Sequence, residues 1–190
     1  MTMYHMINWF FALSFFGYVL ECVVLSLENH KLVLDRGFGH GPFCIIYGFG
    51  AAFACLMLEP FVGQPLRLYF ASMLLATSME MVTAGAMIYL FGEFWWNYSE
   101  KPFNYKGIIC LESSIGWGFL GLVFFGMLNR TIHALVALIP QQAGKILAVS
   151  LVLFYLSDFV YCVHQRLSGQ EEVEEGEESI GRMKVSFRGR

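Results

Sequence analysis

Apolar positions in this chain gather into five long uninterrupted runs, at residues 7–27, 41–62, 68–91, 108–128 and 146–165, separated by short polar stretches. A bilayer core of about 30 Å takes roughly 20 helical residues, and each run is long enough. In hydrocarbon the backbone must satisfy its own hydrogen bonds, which makes helices the default. The pattern therefore predicts an all-α, polytopic membrane protein with five transmembrane helices over residues 1–166. A further apolar stretch at 131–139 is too short to cross and stops at Pro140, and it is expected to form an interfacial or re-entrant half-helix. The first run has no Lys or Arg before it and is longer than a signal-peptide core, so it is expected to be retained as a span.

Composition agrees with this pattern: 57% of residues are hydrophobic and only 14% charged, about half the charged share of a soluble domain. The distribution of basic residues sets an orientation. One side would carry nine (Lys31, Arg36, Lys101, Lys106, Arg166, Arg182, Lys184, Arg188 and Arg190), the other three (Arg67, Arg130 and Lys145). The N-terminus is thus expected outside and the C-terminus in the cytoplasm. Loops one and three would then share the cytoplasmic face. Residues 167–190, with six Glu between Gln170 and Ser179 and a basic end, read as a charged disordered cytoplasmic tail or a docking segment.

Four spans carry an acid that a bilayer tolerates only with a partner, water or a bound proton: Glu21, Glu80, Glu112 and Asp158. At 1.5 Å per residue from the helix ends on the cytoplasmic side, Glu112 lies about 6 Å deep, Glu21 about 9 Å, Asp158 about 10 Å and Glu80 about 17 Å. Ser14, Gly17 and Tyr18 share a face with Glu21, and Ser114, Gly118 and Gly121 form a small-residue face beside Glu112. The spans hold no Lys or Arg to neutralise these acids. Two arrangements fit: the acids line a polar cavity open to the cytoplasm, or each bonds a neighbouring helix and specifies packing.

The most polar interval between the spans, residues 95–117, begins with two Trp suited to a membrane interface and turns at Pro102 and Gly107. Asn97, Tyr98, Asn104 and Trp117 in it are candidate binding groups at the mouth of such a cavity. The glycine-rich segment 37–41 matches neither G-x-G-x-x-G nor G-x-x-x-x-G-K-[ST], so no nucleotide site is expected. No G-x-S-x-G occurs, and the five His never fall three or four residues apart, so neither catalytic residues nor a metal site nor a cofactor is expected. Cys22, Cys44, Cys55, Cys110 and Cys162 lie in or beside apolar runs without C-x-x-C spacing and read as buried inert thiols.

Four segments resemble a bacterial membrane family described as putative ABC-transporter type IV (CmpB-like). They are Gly17-Tyr18-Val19-Leu20-Glu21, Gly41-Pro42 with Ile46-Tyr47-Gly48-Phe49-Gly50, Glu80 through Gly85, and the long motif Trp96-Asn97-Tyr98-Ser99, Pro102-Phe103-Asn104, Gly107, Ile109-Cys110-Leu111, Ser114 and Trp117-Gly118. Asn97 stands where that family commonly has Asp. The resemblance implies a transporter component, permease-like and without its own ATPase. Its expected partners are the lipid bilayer and a separate ATPase subunit or further copies of itself, with no nucleic acid. The alternatives are a non-catalytic scaffold or sensor that recruits a partner through its tail, and a membrane-embedded enzyme acting on lipid head groups through Glu112 or Glu80.

Overall fold

A computed structural model describes residues 2–34, 36–94 and 96–188, with side chains only as far as Ser168. The expected disordered tail, 167–190, lies almost wholly outside the described side chains. The helices are α1 (Met3–Glu28), α2 (Ile45–Met57), α3 (Pro65–Phe91), α4 (Leu111–Val123), α5 (Asn129–Ala137) and α6 (Gln141–Arg188). A 3-10 turn (Glu59–Phe61) precedes α3, and one π-turn (Phe124–Leu128) joins α4 to α5. The chain is all-α apart from a two-residue hairpin, β1 (Asn104–Tyr105) paired antiparallel with β2 (Ile109–Cys110).

Four helical stretches are long and apolar enough to cross a membrane: Met3–Glu28, Pro65–Phe91, Leu111–Ala137 and Gln141–Ser168. Helix α2, with 13 residues, is shorter than a full crossing, so the expected five spans become four and a shorter apolar helix. The reason lies at its ends. Residues 41–44 are apolar but begin Gly-Pro, which keeps them out of the helix, and Glu59-Pro60 closes the other end in the 3-10 turn.

The fourth span also differs from expectation. It begins at Leu111, after the hairpin, and continues through the π-turn to Ala137, so residues 131–139 prolong a helix instead of forming a separate half-helix. Asn129-Arg130 reads as a loop, yet no Pro lies between Leu128 and Ile139 to break the helix. The Asn129 amide is satisfied in place: its Oδ1 accepts from Trp9 Nε1 at 3.0 Å, and its Nδ2 faces Cys55 Sγ at 3.8 Å.

The other helix ends follow local chemistry. Pro65 begins α3 at a position where a missing N–H costs nothing. Gly92 ends it at φ 72°, its N–H bonded to the Ile88 carbonyl at 2.9 Å. Close contacts are made through small residues: Gly17 of α1 lies under the Tyr47 ring of α2, Gly48 against Ser14 and Phe10, and Gly118 and Gly121 of α4 against Tyr69 and Ser72 of α3. One core cluster joins Trp9, Leu13, Ala51, Phe124 and Val136; a second joins Phe38, Met87, Phe91 and Cys162 at the other end. Outward faces stay apolar, with Leu66, Leu74, Val82, Leu138 and Ile146 all exposed. That much uncovered hydrocarbon suits lipid and not water.

Candidate functional site

Residues of loops 29–44 and 92–110 meet at one end of the bundle, where Lys101 also reaches Glu28 at the end of α1. Between them and the helices lies a cavity of about 790 Å³. Its lining includes Glu21, Glu80 and Glu112 together with Asn97, Tyr98 and Trp117. Asp158 and Asn104 are not part of it.

Each acid has a distinct environment. Glu21, on α1, accepts from Tyr47 OH at 2.7 Å and pairs with Arg36 Nη2 at 3.4 Å. Glu112 sits in the first turn of α4, where a helix N-terminus favours negative charge, and its side chain is 60% exposed. It pairs with Lys101 at 3.1 Å, and Lys101 also reaches Glu28 at 2.9 Å. Glu28 first and Glu112 second hold the Lys101 ammonium above its ordinary pKa. The loops therefore deliver the cations that the spans lack, a correction to the reading of these acids as unneutralised.

Glu80 differs from both. It is only 5% exposed on α3, and among the described residues its one hydrogen bond comes from Tyr98 OH at 3.2 Å. The Trp117 indole and Ser113 hydroxyl stand beside the carboxylate, yet Glu80 Oε2 and Trp117 Nε1 are buried without a partner in hydrogen-bond geometry. Burial, and then the Glu80 charge, push the Tyr98 phenol far above its ordinary range, so it stays a neutral donor. A second, smaller cavity of about 110 Å³ continues below toward the middle of the bundle. Tyr47, Glu80 and Trp117 border both cavities, and the Tyr47 and Trp117 rings lie 5.5 Å apart. Ser72 Oγ, also unpartnered, lines the lower one.

The loop above is held by its own amides. Asn97 Oδ1 accepts from Ser99 N–H at 2.9 Å. Asn104 Nδ2 donates to the Ser99 and Lys101 carbonyls at 3.1 and 2.8 Å, and its Oδ1 accepts from Gly107 N–H at 3.1 Å. Trp96 Nε1 closes the base on the Ile108 carbonyl at 2.7 Å. Gly107 has φ +70°, and a Cβ there would meet Ser99 and Asn97. Asn104 thus builds the rim and does not face what the cavity holds.

Asp158 serves elsewhere: its Oδ1 meets His40 Nδ1 at 2.9 Å and its Oδ2 accepts from Gly41 N–H at 3.1 Å, fixing the glycine-rich loop to α6. Arg36, Tyr47, Lys101 and Glu28 are among the cavity residues not picked out as site residues by sequence. For Tyr47 a signal existed in Ile46-Tyr47-Gly48, an aromatic phenol amid small residues in an apolar helix. Lys101 had none, because its partners lie 73 and 11 residues away.

No curated protein and no solved structure matches the chain significantly. One family model does, over residues 8–163, and so covers nearly all of the membrane part. The chain, a multi-pass membrane protein by its helices, belongs to the family described as Putative ABC-transporter type IV.

Proposed function

We propose that the protein is a permease-like component of a transport system, without an ATPase of its own, whose acid-lined cavity opens to the cytoplasm. The observation that carries this reading is the layer of Tyr47, Glu80 and Trp117 between two cavities in line. Above it the acids Glu21 and Glu112 are paired with cations. Within it one oxygen of the Glu80 carboxylate and the Trp117 indole N–H beside it lack a partner in hydrogen-bond geometry among the described residues, and Ser72 Oγ borders the lower cavity. Buried polar atoms at membrane depth are costly, and a polar solute or water would supply the partners they lack. The family's name agrees with transport, and the charge bias puts the mouth on the cytoplasmic side.

If transport is driven by ATP, the ATPase belongs to another chain, because the sequence has no phosphate-cradling G-x-x-x-x-G-K-[ST] segment. The test is to solubilise the protein gently from its native membrane and assay what accompanies it. An associated ATPase is expected, and Glu80→Gln in the same complex should lower its coupled turnover at least tenfold while insertion and helix content stay unchanged. A protein recovered alone, indifferent to ATP and to Glu80→Gln, would overturn the reading.

A further inference from the structure

The second polar cluster lies outside the cavity lining but next to it, where the glycine-rich loop meets α6. His40 Nδ1 stands 2.9 Å from Asp158 Oδ1 and 3.3 Å from Cys162 Sγ, and Sγ is 3.8 Å from the same Oδ1. One nitrogen is thus approached by both an oxygen and a sulfur. The His40 N–H serves Asp158 well, and the thiol is left a long contact of 3.8 Å as donor to the same Oδ1, with all three ligand atoms within 4.8 Å of one another. A metal ion accounts for all three.

We propose that His40, Asp158 and Cys162 form a divalent transition-metal site, with zinc the fitting ion. Tetrahedral zinc with bonds of about 2.0–2.3 Å to N, O and S sets its ligands roughly 3.3–3.6 Å apart, and the three separations here bracket that range. The donor set of imidazole, carboxylate and thiolate is borderline-soft, which selects zinc over magnesium or calcium. Ligand orientation is already fixed. Gly41 N–H holds Asp158 Oδ2 and leaves Oδ1 for the ion, an outer-shell contact of the kind that orients ligating carboxylates. The loop can come this close because its glycines have no side chain: a Cβ on Gly39 would strike the Asp158 carboxylate, and one on Gly41 the Phe154 ring.

Cys162 is buried while the His40 side chain is 65% exposed, so the fourth position opens toward the outside of the bundle. Three protein ligands and one open position is the arrangement of a site that exchanges its outer ligand. On binding, the Cys162 S–H bond breaks and an S–Zn bond forms, with the proton released to solvent. His40 binds through Nδ1 with its remaining proton on Nε2, and no electron changes hands. The ion ties the first loop to α6 beside the cavity mouth, and the site stands whether or not the protein is a transport component.

Cobalt(II) reports on the site directly. Titrating the full-length protein in nanodiscs is expected to produce a sulfur-to-cobalt charge-transfer band and the intense visible bands of a four-coordinate ion, both removed by stoichiometric zinc. Cys162→Ser should abolish the charge-transfer band, and His40→Ala should weaken binding at least tenfold, with helix content by circular dichroism unchanged in both. The milder Asp158→Asn keeps the Gly41 contact and should weaken binding without removing the sulfur band. A six-coordinate spectrum, or a sulfur band that persists in Cys162→Ser because another of the five cysteines supplies it, would overturn the proposal.

Discussion

The amide of Asn104 is used entirely by the loop that carries it, in three hydrogen bonds. Replacing it with Ala leaves two carbonyls and one N–H to find water, and at about 1 kcal/mol each the 92–110 loop should lose roughly 1–3 kcal/mol of local stability. Limited proteolysis is expected to cut that loop faster in Asn104→Ala, and faster again in Lys101→Ala, which frees it from Glu28 and Glu112. The Lys101 contribution has a defined pH dependence. A pKa raised in the folded state means the tie is fully present below the ordinary value of 10.5 and is lost only as pH rises through the higher folded value. Cleavage of the native loop should therefore not change between pH 7 and pH 9, whereas high salt, which screens so exposed a pair, should speed it. Residue identity alone did not reveal these roles. Asn97 and Asn104 announce polarity at a membrane surface, but whether an amide serves a ligand or its own backbone depends on turn geometry.

At the scale of elements, α3 and α4 pack through Gly118 and Gly121, which meet Tyr69 and Ser72 with no room for a side chain. Gly121→Val should force the helices apart, cost about 1–3 kcal/mol or more, and lower the thermal unfolding temperature in detergent. Gly126→Ala, with open space around it in the π-turn, should leave that temperature nearly unchanged. The ends of α1, α3 and the membrane part of α6 were legible to about five residues, each helix running longer than its apolar core. The end of the fourth span was not. Asn129 looks like the start of a loop until Trp9 and Cys55 are seen to satisfy it, and both come from helices far off in sequence. For α2 the apolar run was read correctly but its Gly-Pro entry was counted as helix.

For the whole molecule, hydropathy shows that acids enter the membrane, and helix spacing shows on which face. It does not show that two of them meet cations, because Arg36 and Lys101 come from loops whose positions depend on the assembled bundle. Nor does it separate Asp158, held by the first loop, from Glu21, Glu80 and Glu112, which line the cavity. What distinguishes Glu80 is that no such cation pairs with it among the described residues, together with its place between two cavities. Transport by this route requires the upper cavity to be reachable from the cytoplasm. Gly116 lines it and has open space for a side chain, so Gly116→Cys can be tested with a membrane-impermeant maleimide, with Phe103→Cys on the loop above and Val62→Cys at the opposite end as references. We expect residues 116 and 103 to react in inside-out vesicles and not in intact cells, and residue 62 to do the reverse. Labelling of residue 116 only from the outside, or from neither side while residue 103 reacts from the inside, would contradict a cavity open to the cytoplasm.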